Sequence, residues 1–219
     1  MQYNPIIDIT NDNSSHTLLI RLTRGAKNVL DVGCASGYLG NVLIHQFGCR
    51  VSGIEADPAA AAIARQTYQE VIDGNVEDVS LFERLKHSPF DAIIFGDVLE
   101  HLRRPEQVLS TARHFLRPDG YVLVSLPNVV TLRLRIRFLR GQFEYTDQGI
   151  MDRTHLRFYT LKSAREMIRE CGYTIDDFDF VVGPRFGRRL RQLHIPRHLF
   201  PATLLGTQFI FKAHPSGEE

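Results

Sequence analysis

Several features that would decide a class of protein at once are missing from this chain of 219 residues. It has no tryptophan, only three cysteines, and a formal net charge of +1. Three cysteines without pairable or metal-type spacing argue against a disulfide framework and indicate a reducing compartment. A net charge near zero gives no general attraction to nucleic acid, so we expect no nucleic-acid partner.

Long apolar runs and a targeting segment are also lacking. Every apolar run stops well short of the ~18 residues that a membrane-spanning helix needs. The amino-terminal residues show no basic region followed by an apolar one. These absences predict a cytoplasmic protein, although peripheral contact with a membrane stays open because it would leave the same pattern.

The most informative stretch that is present joins a buried strand to a helix. Asn28 to Val32 form a short apolar run, typical of a strand covered on both faces. The next five letters, residues 33–37, read Gly-Cys-Ala-Ser-Gly, so a ligand can lie directly against the backbone there. Apolar residues then recur at helical spacing, namely Leu39, Val42, Leu43 and Phe47. This order of elements predicts a nucleotide-binding turn.

Two acidic residues indicate which nucleotide. The dinucleotide pattern Gly-x-Gly-x-x-Gly is absent, because the glycines fall at 33, 37 and 40. Asp31 comes two residues before the first of them, where a carboxylate suits a free amino group and repels a pyrophosphate. Glu55 ends a second apolar run, and its carboxylate can accept both hydroxyls of a ribose.

On these residues the chain resembles the class I S-adenosylmethionine-dependent methyltransferases, whose first motif reads acid-x-Gly-x-Gly-x-Gly. Ala35 stands where that motif has its middle glycine, and we expect it to be tolerated if its φ is negative. The resemblance implies S-adenosylmethionine as the cofactor. It also implies a cofactor site made of nine residues: Asp31, Gly33, Ala35, Gly37, Glu55, Ala56, Asn75, Val76 and Asp97.

The resemblance also distributes roles among these residues. Asp31 and the glycines would surround the methionine end, and Glu55 would hold the ribose. Asn75 and Val76 would flank the adenine, although the segment also suits a polar turn that caps the next helix with Asp78. Asp97 would lie near the sulfonium.

Strand and helix patterns alternate along most of the chain. This predicts an α/β fold with a doubly wound, Rossmann-like sheet of about seven strands and helices on both faces. We expect a mostly parallel sheet with an antiparallel edge strand, and a non-helical connection between the last two strands. Residues 1–219 are predicted to be a single methyltransferase domain. Its insertion at about 128–160 far exceeds the usual ~2–6 residues and is predicted to be a lid or substrate-binding element.

Two histidines are candidate proton acceptors. His101 lies in Asp97-Val98-Leu99-Glu100-His101-Leu102, which resembles a segment common in small-molecule methyltransferases. His155 lies in an Asp-Arg-Thr-His-Leu-Arg-Phe run, similar to that of a bacterial subgroup linked to sugar and cell-surface glycan pathways. Asp152 would orient His155 or the substrate. In the alternative, both histidines only order their loops, and Asp152 pairs with Arg157. No metal site is expected, because no cluster has ligand spacing.

Arginines form two clusters in an otherwise balanced chain. The members are Arg133, Arg135, Arg137 and Arg140, and then Arg185, Arg188, Arg189, Arg191 and Arg197. Arginine binds phosphate through paired hydrogen bonds, so an anionic substrate such as a nucleotide sugar or glycan precursor is one interpretation. An acidic membrane surface and a plain solvated face are the others.

The predicted function is methyl transfer to a small-molecule acceptor, a hydroxyl of a sugar, glycan precursor or related metabolite. An inactive cofactor-binding scaffold and a carbon or nitrogen acceptor remain alternatives. A nicotinamide-dependent oxidoreductase would share the fold, but Asp31 and the missing glycine pattern count against it. The oligomeric state stays open.

Overall fold

A seven-stranded mixed sheet forms the centre of the computed structural model, which describes residues 7–193 and 195–217. The strand order is β3-β2-β1-β4-β5-β7-β6. Neighbours pair in parallel except that β7 runs antiparallel to both β5 and β6. The strands are β1 Asn28–Val32, β2 Arg50–Glu55, β3 Glu70–Asp73, β4 Phe90–Gly96, β5 Leu116–Pro127, β6 Tyr173–Val182 and β7 Gly206–Pro215.

Helices follow the strands as the alternating pattern predicts. They are α1 Ser15–Leu22, α2 Tyr38–Phe47, α3 Pro58–Ala64, α4 Pro105–Ala112, α5 Leu132–Leu139, α6 Leu161–Glu170, α7 Pro184–Gln192 and α8 Ala202–Leu205. Short 3-10 helices add Val79–Arg84, Leu99–His101, Arg113–Phe115 and Arg197–Leu199. Within the described ranges, no helix is long and apolar enough to cross a bilayer.

Alternating side chains of the central strands build a core on each face of the sheet. On β4, Ile93 and Phe95 point to one face and Ala92 and Ile94 to the other, and all four are fully buried. Apolar residues of α1, α2 and α3 cover the second face, and residues of α4, α6 and α7 cover the first. The prediction of a doubly wound sheet with helices on both faces is confirmed.

Two details at the carboxyl-terminal edge refine the expectation. The reversed strand, β7, lies one position inside the edge, and β6 is the outermost strand. The connection between them is helical, which corrects the prediction of a non-helical link. Helix α7 is rich in arginine and buries only Gly187 and Leu190, so it contains too few apolar residues for the sequence to predict a packed helix.

The insertion begins and ends at one place on the sheet. Asn128 bridges to Tyr159, and the Val129 N–H donates to the Tyr159 carbonyl at 3.0 Å. Farther along, the N–H groups of Leu156 and Arg157 donate to the Glu100 carbonyl at 2.8 and 3.0 Å. These bonds hold the end of the insertion against the segment that follows β4.

Candidate active site

The turn after β1 adopts a left-handed backbone at three positions. Gly33, Ala35 and Gly37 have φ values of +68°, +47° and +80°. Ala35 is expected to be tolerated if its φ is negative, and this condition is not met. Its N–H donates to Glu55 Oε2 at 2.8 Å, which holds a conformation that costs a non-glycine residue about 1–3 kcal/mol. Such local strain is typical of functional sites.

Asp31 is held behind this turn by a tyrosine that sequence reasoning missed. The Tyr68 hydroxyl donates to Asp31 Oδ2 at 2.6 Å and accepts the Gly40 N–H at 3.0 Å. Burial raises the pKa of Asp31 to about 7; the hydrogen bond from Tyr68 opposes this shift and the charge of Glu55 adds to it. Asp31 is only 4% exposed, and it does not line the cavity at the carboxyl ends of the parallel strands.

A cavity of about 230 Å³ opens at the carboxyl ends of β1 to β4. Its wall contains six of the nine predicted cofactor residues: Gly33, Glu55, Ala56, Asn75, Val76 and Asp97. His101 also lines it, whereas Asp31, Ala35 and Gly37 do not. In a doubly wound sheet, this edge is where nucleotides bind.

The carboxylate of Glu55 organises two loops beside this cavity. Its two oxygens accept the Ala35 and Asp57 N–H groups, each at 2.8 Å. A carboxylate oxygen has two acceptor positions, so each oxygen keeps one for a ribose hydroxyl. The cavity and this carboxylate therefore fit a nucleoside.

The loop after β3 is tied to the loop after β4. Asn75 is exposed, and its Oδ1 accepts the Glu77 N–H at 3.0 Å. Glu77 Oε1 in turn accepts the N–H groups of Arg103 and Arg104, both at 2.9 Å. Asp78 caps the next 3-10 helix through the Ser80 N–H, so the capping role coexists with a place for Asn75 in the cavity wall.

Side chains of two other strands hold Asp97, which directly follows β4. Its φ is +58°, and its Oδ1 accepts the Ser125 hydroxyl at 2.6 Å and the Gln208 side-chain amide. Ser125 is on β5 and Gln208 is on β7. No local pattern marks Gln208, because only the sheet topology brings it to this position.

His101 and His155 meet although they lie far apart in the chain. Their ring centroids are 4.7 Å apart and nearly perpendicular. His155 Nδ1 lies 3.1 Å from the Ile150 carbonyl. Because a carbonyl oxygen only accepts, this contact places the proton of the neutral ring on Nδ1 and leaves Nε2 as the proton acceptor.

His101 is oriented through Thr154. Its Nδ1 lies 3.1 Å from Thr154 Oγ1, and that hydroxyl donates to Asp152 Oδ1 at 2.8 Å. The carboxylate of Asp152 therefore reaches His101 through one hydroxyl. The alternative pairing of Asp152 with Arg157 is not observed, since the Arg157 guanidinium donates to the Arg103 carbonyl at 2.6 Å.

Burial shifts the pKa values of His155 and Glu100. Burial and the nearby charge of His101 lower the pKa of His155, which keeps the ring neutral at neutral pH. Burial and the charge of Asp97 raise the pKa of Glu100 well above its usual range. Glu100 Oε2 has no hydrogen-bond partner in the part of the chain that is described.

Three metal-ligating side chains come together here. Glu100, His101 and His155 each offer one ligand atom, and these atoms lie within 4.8 Å of one another. Spacing along the chain could not reveal this group, because His155 arrives from the insertion. The expectation of no metal site therefore remains a prediction that needs an experiment.

His16 of α1 also reaches the site. Its ring packs edge-on against Tyr38 at 5.2 Å, and burial lowers its pKa while the charge of Asp97 opposes that shift. Nothing in the letters around His16 distinguishes it from other residues of an amphipathic helix.

The fold is that of a class I methyltransferase domain, a class whose cofactor is S-adenosylmethionine. The model of a family described as "Methyltransferase domain" matches residues 12–177. The chain belongs to this family.

Similar curated proteins support the same class. The chain is 30% identical over 140 residues to a ubiquinone biosynthesis O-methyltransferase of Xylella fastidiosa, covering 58% of this chain and 56% of that protein. It is 29% identical over 153 residues to a probable S-adenosylmethionine-dependent methyltransferase of Mycolicibacterium smegmatis, covering 69% and 53%. The chain thus spans about half the length of these relatives.

Solved structures agree on the fold. The CcbJ methyltransferase from Streptomyces caelestis superposes with a TM-score of 0.65 at 14% identity, covering 98% of this chain and 95% of that one. The magnesium protoporphyrin IX methyltransferase of Synechocystis, solved with bound S-adenosylhomocysteine, gives 0.64 at 14% identity, covering 98% and 90%. At such identities the likeness extends to the fold alone.

Proposed function

We propose that this protein transfers the methyl group of S-adenosylmethionine to a hydroxyl of a small-molecule acceptor. The observation that carries this proposal is the histidine pair at the cofactor cavity, with the Nδ1 atoms of His101 and His155 next to protein acceptors. The names of the curated relatives, several of them O-methyltransferases, support an oxygen acceptor.

The chain's own residues supply binding and alignment. Glu55 would hold the ribose hydroxyls, Asn75 and Val76 would flank the base, and Asp97 would place its carboxylate near the sulfonium. When bound, S-adenosylmethionine supplies an electrophilic methyl group. Fixing the acceptor oxygen at near-attack distance is the main source of rate in such a displacement.

His155 accepts the hydroxyl proton at Nε2 as the acceptor oxygen attacks. Its lowered pKa keeps it neutral and ready to accept. His101, oriented by Thr154 and Asp152, lines the cavity and positions the acceptor hydroxyl. Substituting His155 should therefore lower kcat, whereas substituting His101 should mainly raise KM.

The acceptor has a candidate place beside this pair. A cavity of about 820 Å³ is lined by Ile150, whose carbonyl orients His155, and by Arg133, Arg137 and Arg140. Guanidinium groups there suit an anionic acceptor such as a nucleotide sugar or glycan precursor. The apolar residues of its wall equally suit a phenolic ring.

Calorimetric titration with S-adenosylmethionine, S-adenosylhomocysteine and NADH tests the cofactor first. Binding of the first two but not NADH is expected. A labelled methyl donor then tests acceptors, with nucleotide sugars in one panel and phenols in another. NADH binding alone would overturn the proposal, and cofactor binding without turnover on any acceptor would favour the inactive scaffold.

Product analysis and a chelator complete the test. A methyl group found on carbon or nitrogen would reject the hydroxyl acceptor. The His155→Gln and His101→Gln variants, compared with His45→Gln on the exposed part of α2, test the two roles. Loss of turnover in EDTA and its return with Mg²⁺ would assign the Glu100, His101 and His155 cluster to a metal instead.

A further inference from the structure

Helix α5 presents an apolar strip to solvent. Leu132, Ile136 and Leu139 lie on one face of the helix, and they are 45%, 41% and 88% exposed. The buried residue of α5 is Leu134, on the opposite side. Large aliphatic side chains that stay exposed in a row usually mark an interaction surface.

Arginines border this strip on both sides. At 100° per residue, Arg135 lies on one side of it, and Arg133 and Arg140 lie on the other. All three are exposed, and α5 contains no acidic residue. Arg137 forms an ion pair with Glu144. Since the chain as a whole carries a net charge of +1, this positive charge is a local feature.

A second arginine-rich helix borders the same place. The cavity of about 820 Å³ has Leu132 and Ile136 on one wall and Pro184 and Phe186 of α7 on another. Helix α7 carries further exposed arginines, namely Arg185, Arg188, Arg189 and Arg191. The helices α5 and α7 therefore meet at one cavity, although Arg191 and Arg197 line a different one.

We propose that the exposed face of α5, with Leu132, Ile136, Leu139 and their flanking arginines, docks on the surface of an anionic lipid bilayer. Aliphatic side chains enter the boundary of the acyl chains, and guanidinium groups bind lipid phosphates. A nucleic acid would use the charges but would leave the apolar strip in water. A second copy of the chain would set arginines against arginines across the two-fold axis.

Docking in this way places the mouth of the 820 Å³ cavity at the lipid surface, because Leu132 and Ile136 belong both to the docking strip and to the wall of the cavity. The docking itself does not depend on methyl transfer. Cofactor affinity, measured on the same preparations, reports folding and the cofactor site independently of lipid.

Vesicle sedimentation of the full chain tests the proposal. Wild type should bind vesicles of phosphatidylcholine mixed with phosphatidylglycerol, bind phosphatidylcholine vesicles weakly, and lose affinity as salt rises. The Arg133→Gln/Arg135→Gln/Arg140→Gln variant should bind the mixed vesicles roughly 100-fold less tightly, at the usual contribution of each basic residue near a charged membrane.

Two further variants sharpen the test. Leu139→Asp removes the most exposed apolar residue of the strip, which does not line the cavity, and it should abolish binding. Arg24→Gln/Arg50→Gln/Arg84→Gln makes the same charge change at exposed positions elsewhere, and it should bind like wild type.

Three results would overturn the proposal. In the first, wild type does not bind mixed vesicles at low salt; in the second, the control triple variant loses as much affinity as the α5 variant. In the third, sedimentation equilibrium would show a dimer of wild type that Leu139→Asp dissociates, which would make a second copy the occupant.

Discussion

Single residues at the site show how far local sequence predicts chemistry. The turn at 33–37 is contiguous with β1, so its place between β1 and α2 could be predicted from the sequence. The partners of Asp31 and Asp97 could not, because Tyr68 and Gln208 lie 37 and 111 residues away. The positive φ of Ala35 was also beyond prediction, since it depends on a bond to Glu55 across two strands.

Replacing Glu55 by alanine should weaken S-adenosylmethionine binding. Hydrogen bonds to a charged group contribute about 1.5–3 kcal/mol, which corresponds to a loss of roughly 10- to 150-fold in Kd. Calorimetry provides the measurement, and Glu83→Ala at an exposed position is the control. Unchanged affinity in Glu55→Ala would remove this residue from the ribose site.

Asp31 should make stability depend on pH in an unusual direction. Its pKa is about 7 in the folded protein and about 3.9 in the unfolded chain. The folded state therefore holds a proton that the unfolded state has lost. Its contribution to stability is complete below about pH 4, falls as the pH rises, and is gone above about pH 7.

Urea unfolding of Asp31→Asn checks this sign. The variant keeps an acceptor for the Tyr68 hydroxyl but carries no charge. The free energy of unfolding of the variant minus that of wild type should rise by a few kcal/mol from about pH 4 to about pH 8. The Glu83→Gln control should show no such trend. An equal difference between Asp31→Asn and wild type at both pH values would contradict a raised pKa of Asp31.

The histidine pair gives a prediction for the acid limb of catalysis. Because the pKa of His155 is lowered, the rise of kcat/KM with pH should be centred below the ordinary value of about 6.5. A pH–rate profile measures it. The inflection should vanish in His155→Gln and persist in His45→Gln, and its survival in the first variant would exclude His155 as the proton acceptor.

At the scale of elements, helix α6 anchors the end of the insertion. Its amino terminus is a capping box in which the Ser163 N–H donates to Thr160 Oγ1 at 3.2 Å and the Thr160 N–H donates to Ser163 Oγ at 3.0 Å. Thr160 follows Tyr159, which bridges to Asn128. The cap therefore fixes the point where the insertion returns to the sheet.

Removing this cap should loosen the helix start. Thr160→Ala should lower the free energy of unfolding by about 1 kcal/mol and the Tm by about 2–4 °C. Differential scanning calorimetry measures both. Thr160→Ser keeps the hydroxyl and should stay close to wild type, so an equal loss in the two variants would point to packing of the methyl group instead.

Elements with strong periodicity or clear boundaries were predictable, and those without were not. The run from Asn28 to Val32 forms β1 with the predicted bounds. Helix α7 was missed because exposed arginines dominate it. The meeting of His101 and His155 depends on how the insertion folds back on the Glu100 carbonyl, and no single segment encodes that return.

At the scale of the whole molecule, alternation of strand and helix was enough to predict the sheet, because few topologies satisfy right-handed crossovers. The alternation could not predict that β7 lies one position inside the edge of the sheet. The sequence determines the order of two consecutive strands only where their connection is short, and the link from β6 to β7 is long enough to allow either order.

Ligand binding should stabilise the whole domain. At a concentration 100-fold above Kd, S-adenosylhomocysteine should add about 2.7 kcal/mol and raise the Tm by about 5–10 °C. Thermal scanning fluorimetry measures this shift, with NADH at equal concentration as the control. A shift with NADH alone would contradict the cofactor assignment.

The ring of Tyr68 fills room left by glycines. A Cβ added at Gly37 would lie 3.0 Å from its Cε1, and one at Gly53 would lie 3.1 Å from its Cδ2. A side chain at position 37 or 53 is therefore in conflict with a tyrosine at position 68. A lineage that replaces the tyrosine with a small residue removes its contacts at 37 and 53, where Ala64 and Cys34 would still crowd an added Cβ, and it loses the donor to Asp31. We expect the aspartate, the tyrosine and the glycines to be inherited, or lost, together.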